Sequence, residues 1–100
     1  MTEGKKYDMY KPRWSLLPTN TVVQVVNVLE YGANKYGAEN WKHVGNARTR
    51  YYDAAMRHME SWWKGETLDE ESGENHLAHA MCCLMFLMWF DDLELGNAVT

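Results

Sequence analysis

The sequence predicts an all-α fold: a small bundle of three main helices with an extended N-terminal arm, completed by oligomerisation. Three observations predict it. Apolar residues recur at the helical period through two stretches, Val22, Val25, Val26, Leu29 and Ala33, then Tyr52, Ala55, Met56, Met59 and Trp63. Glycines stand where those stretches end, at Gly37 and Gly65. A third stretch, residues 80–90, is apolar without a break.

A chain of 100 residues holds one domain, so residues 1–100 are read as a single unit with 1–18 as its arm. A chain this short buries a limited core, and a dimer or higher oligomer is a natural supplement. The formal charge is −4, with acids and bases mixed along the chain. That balance argues against binding a nucleic-acid backbone, which calls for a basic surface. Lys5 and Lys6 are followed by Tyr7, Asp8 and Met9 rather than an apolar segment, so no signal peptide is expected and the chain is assigned to the cytoplasm.

In the arm, Pro12 and Pro18 bracket an apolar patch. The residue before a proline is pushed towards extended backbone, so an irregular segment is expected, lying across the domain with Trp14, Leu16 and Leu17 as anchors. The first helix is expected over Thr19–Tyr36, capped by Thr19 or Thr21. Its V-V-Q-V-V run is equally at home in a strand. The length of the segment and its continuation through Leu29 and Ala33 favour helix. Residues 37–48 form a polar loop around one large aromatic, Trp41.

The second helix is expected over about residues 49–64. A short acidic link follows. Two starts compete for the third helix: the T-x-x-E capping box of Thr67 and Glu70, or Asp69 as cap. This helix is expected to reach about residue 95, with Gly96 as its stop. Its eleven-residue apolar run, 80–90, is too short for a bilayer, which needs about 20. A helix apolar all round must be buried all round, which three helices alone do not achieve. Cys82 and Cys83 are adjacent, point about 100° apart on a helix and have no third cysteine to pair with. They are read as buried thiols in a reducing compartment.

The chemistry concentrates between Arg57 and Ala80. Three of the four histidines, His58, His76 and His79, share these 24 residues with Glu60, Glu66, Asp69, Glu70, Glu71 and Glu74. His76 and His79 are three apart and share a helix face. Imidazoles and carboxylates at that spacing can hold a metal or, when protonated, a phosphate. If the second and third helices pack antiparallel, the acidic link lies beside them and His58 meets His79 at a similar height. H-x-x-H alone is also a common structural pair, and acids at a helix start commonly just complement its dipole.

The run Arg57-His58…Trp62-Trp63-x-Gly65-Glu66-x-x-Asp69-x-Glu71-Ser72-Gly73-x-x-His76-Leu77-Ala78-His79-Ala80 resembles the signature of the dATP/dGTP diphosphohydrolase N-terminal domain family. Lys11-Pro12-Arg13-Trp14-Ser15-Leu16-Leu17-Pro18 resembles its entry arm, and Tyr31-Gly32-Ala33-x-Lys35-Tyr36-Gly37-x-x-Asn40-Trp41 its second block. The match spans roughly residues 11–90. It implies a small helical domain common in bacteriophages and related to the MazG-type all-α pyrophosphohydrolases. Those enzymes use Mg²⁺ or Mn²⁺ held by acidic residues on two helices, and release a monophosphate and pyrophosphate. Their E-x-x-E pair is absent here: the second helix has Glu60 alone, and Glu71-x-x-Glu74 comes nearest to their E-x-x-D.

The resemblance implies a site in this chain. Glu66, Asp69, Glu71 and His79 are the expected ligands of Mg²⁺ or Mn²⁺, with Glu71, His58 and His79 as catalytic groups and His76 beside them. Lys11, Arg13, Lys35 and Arg57 are expected to neutralise phosphate. Tyr36, Asn40 and Trp41 are expected to hold a purine base, by ring faces and amide hydrogen bonds. The reading is a metal-dependent hydrolase of purine deoxynucleoside triphosphates. Two alternatives stand beside it: a non-catalytic protein that sequesters a nucleotide, and a helical oligomerisation module without a ligand.

Overall fold

The computed structural model describes residues 4–96. Three α-helices account for most of them: α1, Thr19–Tyr36; α2, Ala47–Trp63; and α3, His76–Glu94. Two short 3₁₀ turns, Trp14–Leu16 and Asn40–His43, precede α1 and α2. The described residues contain no strand, only one isolated antiparallel bridge between Leu68 and Asn75. None of the described helices is long and apolar enough to cross a membrane.

The first helix keeps its expected bounds, but neither threonine caps it. Pro18 holds the cap position, and its carbonyl accepts from the Thr21 and Val22 N–H groups. The second helix begins two residues before Thr49, because Asn46 turns left-handed (φ 54°) and launches it there. Asn tolerates that conformation better than most residues.

The third helix departs most from expectation. It starts at His76, and neither Thr67 nor Asp69 caps it. Asn75 does, its side-chain oxygen accepting from the Leu77 N–H at 2.8 Å. Residues 66–75 instead fold into a tight turn. The Asp69 N–H donates to the Glu74 carbonyl, the Gly73 N–H to the Asp69 carbonyl and the His76 N–H to the Thr67 carbonyl. Gly73 supplies the left-handed backbone (φ 75°) that this turn requires.

Helix α3 is the central element, packed on α2 and, less extensively, on α1. It runs antiparallel to α2: Tyr51 meets Phe86 and Phe90, while His58 meets His76 and His79. The buried side chains are small. Val25 and Val28 meet Ala78 and Cys82, with Leu29 and Phe86 against them. Ala47, Ala55, Ala80 and Cys83 are also buried. Small residues let the helix backbones approach, but they bury little apolar area each.

As expected of three helices alone, the described residues do not bury the run 80–90 on all sides. Met81, Leu84, Met85 and Met88 are 42–65% exposed. The arm does not lie across the domain either: Trp14 and Leu16 stand 76% and 69% exposed. The 3₁₀ turn between the two prolines holds that patch away from the helices. The radius of gyration, 17.0 Å, exceeds the roughly 13 Å of a compact domain of this length, as an outstretched arm and a three-helix layer require.

Candidate active site

A groove of about 940 Å³ runs between the C-terminal half of α1, the loop at 37–44, the middle of α2 and the first half of α3. Its polar end is built by helix packing. His58 sits on α2 where the antiparallel α3 presents His76 and His79, and the tight turn places Asp69 and Ser72 beside them. The rings of His58 and His79 stack, with centroids 4.4 Å apart and planes 12° from parallel. Nδ1 of His58 lies 2.9 Å from Nδ1 of His76. His76 is buried behind this pair at 6% exposure and does not line the groove.

Asp69 organises the turn. Its Oδ2 accepts from the Ser72 N–H (2.9 Å) and the Ser72 hydroxyl (3.0 Å). The Ser72 Oγ in turn lies 2.6 Å from His79 Nε2 and accepts from the Glu74 N–H at 3.2 Å. With the hydroxyl committed to Asp69, a His79 Nε2–H donates to Ser72. The Asp69 carboxylate is itself 3.7 Å from His79 Nε2. Burial pushes the Asp69 pKa up, but the two Ser72 donors and His79 outweigh it and hold the carboxyl below its usual range. Burial, reinforced by the neighbouring His79 and His76, lowers the His58 pKa to about 4. Burial also lowers that of His79, against the opposing pull of Asp69. Near neutral pH both rings are therefore uncharged.

On the α1 side, Lys35 is ion-paired and hydrogen-bonded to Glu71. That bond, with one from the Tyr31 hydroxyl, holds the Glu71 carboxyl low, and the same bond, with Tyr36, raises the Lys35 pKa. The Lys35 ammonium also lies 5.1 Å from the Tyr36 ring centroid. At the apolar end, Trp41 stacks on Phe86 at 4.4 Å and meets the edges of Trp89 and Phe90, so one face of its ring is already covered.

Most of the expected site residues converge on this groove: Lys35, Tyr36, Asn40, Trp41, Arg57, His58, Asp69, Glu71 and His79 all line it. Four do not. Lys11 and Arg13 lie on the exposed arm, Glu66 on the exposed turn after α2, and His76 is buried behind His58 and His79. The groove also has lining residues that sequence reasoning did not single out: Tyr31, Arg50, Tyr51 and Asp53. The Asp53 and Arg57 pair carried a signal, since positions four apart on α2 share one face.

The family's implied cation can be weighed against these donors. The expected ligands Glu66, Asp69, Glu71 and His79 do not form one oxygen-rich cluster, because Glu66 is outside the groove and Glu71 is engaged by Lys35. The donors that do converge are His58, His76 and Asp69, with one ligand atom of each within 4.8 Å of the others. Mg²⁺ prefers an all-oxygen shell, so this nitrogen-rich set does not fit it.

The described residues define a small all-helical domain with a groove lined by basic, acidic and imidazole groups, and comparison with known proteins specifies the family. The family model for the N-terminal region of dATP/dGTP diphosphohydrolase matches residues 1–97, and the chain belongs to that family. It is similar to a dATP/dGTP diphosphohydrolase of Salmonella phage PMBT28, with 38% identity over 86 residues. That alignment covers 86% of this chain and 29% of the phage protein, so the chain spans less than a third of its relative's length. No solved structure matches the chain.

Proposed function

We propose that this domain hydrolyses purine deoxynucleoside triphosphates to monophosphate and pyrophosphate, with a divalent cation, in the groove between α1, α2 and α3. The observation that carries this reading is the convergence of Lys35, Arg57, His58, Asp69, Glu71 and His79 in one groove, in a chain of this family. Substrate class comes from the relative's name, dATP/dGTP diphosphohydrolase.

The residues divide the work along the groove. Arg57 and Lys35 neutralise the triphosphate, whose charge otherwise repels an incoming nucleophile. Tyr36 and Asn40 face the base. Trp41 supports that end through its stack on Phe86. His79, uncharged and oriented by Ser72, accepts a proton from water, and the His58 ring stacked against it holds it in position. Phosphate and Glu71 compete for Lys35, so nucleotide binding frees the Glu71 carboxylate to orient water. A divalent cation held beside Asp69 would supply the charge that polarises phosphoryl oxygens and activates water. This chain's donors favour Mn²⁺ over Mg²⁺.

The exposed apolar strip of Met81, Leu84, Met85 and Met88 supports self-association through α3. The host cytoplasm, where nucleotides are held, is the place of action that fits this reading.

The double variant Glu71→Ala/His79→Ala tests the site. Turnover of dGTP and dATP is expected to vanish while the far-ultraviolet circular dichroism stays that of the parent. Undiminished turnover would remove the reading.

A further inference from the structure

The convergence of three imidazoles on one carboxylate exceeds what proton transfer needs. His58 comes from α2, His76 and His79 from α3, and Asp69 from the turn between them. Nδ1 of His58 and Nδ1 of His76 are only 2.9 Å apart. Without an ion, one of these nitrogens must carry a proton that the other accepts. Two ring nitrogens each about 2.0–2.1 Å from one metal, at an octahedral right angle, lie about 3 Å apart. The observed separation suits two neighbouring ligands as well as it suits a hydrogen bond.

Asp69 completes the set. One of its carboxylate oxygens lies within 4.8 Å of a ring nitrogen of each of these two histidines. Ser72 fixes that carboxylate through two hydrogen bonds, and the stacked His79 ring braces His58. These are the outer contacts by which proteins orient metal ligands. His58 and Asp69 line the groove while His76 is buried behind them, so the open side of the set faces the groove.

We propose that His58 Nδ1, His76 Nδ1 and the Asp69 carboxylate form a facial site for one first-row transition-metal dication, with its remaining positions open to the groove. Two imidazoles and one carboxylate select such an ion over Mg²⁺. The proposal shares the groove of the function argued above, but it does not depend on turnover.

Its test uses the tag-free chain after chelation, titrated with Co²⁺ and followed by visible absorption, with Mg²⁺ and Zn²⁺ as competitors. Expected are ligand-field bands saturating at one Co²⁺ per chain, displaced by Zn²⁺ and unaffected by a large excess of Mg²⁺. His58→Gln and Asp69→Asn should each weaken Co²⁺ binding by about 100-fold or more, and Ser72→Ala by about tenfold. The metal-free melting profile identifies any variant that fails to fold, and Asp69→Asn, on the turn outside the helices, keeps the test decisive if His58→Gln does not fold.

Absence of Co²⁺ bands would overturn the site. So would equal affinity in the parent and the Asp69→Asn chain. Intense thiolate charge-transfer bands would also overturn it, since they would put the ion on Cys82 and Cys83. Metal binding without nucleotide turnover would uphold the site and sink the hydrolase reading. Turnover without Co²⁺ binding would do the reverse.

Discussion

The imidazoles of His58 and His79 lie face to face, 4.4 Å between centroids, although 21 residues and a tight turn separate them along the chain. Antiparallel packing of α2 and α3 makes the pair, and the turn at residues 66–75 brings Asp69 and Ser72 to it. The functional account rests on that turn as much as on the helices.

Ser72 links Asp69 to His79, so Ser72→Ala leaves both partly buried groups short of a partner. Loss of about 1–2 kcal/mol of stability is expected in urea unfolding. The Thr variant, which retains the hydroxyl, should recover part of it. A loss under a few tenths of a kcal/mol would mean that water replaces the hydroxyl and that the linkage is unimportant.

Gly73 has φ 75°, and open space surrounds the position where a Cβ would stand. Gly73→Ala should therefore cost only its backbone strain, about 1–2 kcal/mol. Helix content should not change, because α3 begins three residues later. A clear loss of helical signal in the folded variant would contradict the boundary at His76.

Lys35 and Glu71 should give opposite responses. Lys35→Ala removes a phosphate contact and should raise the KM for nucleotide about tenfold. Glu71→Ala frees Lys35 and should lower KM while also lowering kcat. Both groups are exposed, so neither change should move the melting temperature noticeably. A shared rise in KM would show that the ion pair, not the free lysine, receives the nucleotide.

Burial pushes the Cys82 thiol up to about 12 and that of Cys83 to about 11. Each folded value lies above the ordinary thiol value of 9.0. The native state therefore holds protons that the unfolded chain releases, and stability should be full below pH 9 and decline as pH rises towards 11–12. Denaturant midpoints across that range check it, with the Cys82→Ala/Cys83→Ala chain giving a shallower decline. At pH 8 the native thiols should react with a disulfide reagent only as fast as the chain opens.

Much of this was legible in the residues, for definable reasons. Periodic apolar positions and Gly37 located α1, and the antiparallel relation of two helices across a short link was enough to bring His58 to His79. The start of α3 was not legible, because Thr67-x-x-Glu70, Asp69 and Asn75 all offer cap chemistry. The choice among them depends on backbone hydrogen bonds that only the folded turn makes. Glu66 was misplaced for the same reason: in a turn, neighbouring side chains point to different sides, and charge alone does not say which. The exposed arm shows the opposite limit. Trp14 and Leu16 read as anchors because they are apolar, yet among the described residues they stand exposed.

The central claim is that the groove cleaves a purine deoxynucleoside triphosphate between its α- and β-phosphates. Incubating the chain with dGTP or dATP and Mn²⁺, and resolving the products by phosphorus NMR, tests it most directly. The account predicts deoxynucleoside monophosphate and pyrophosphate in equal amounts, lost in the Glu71→Ala/His79→Ala chain. Recovery of the nucleotide intact, bound or unbound, would contradict it.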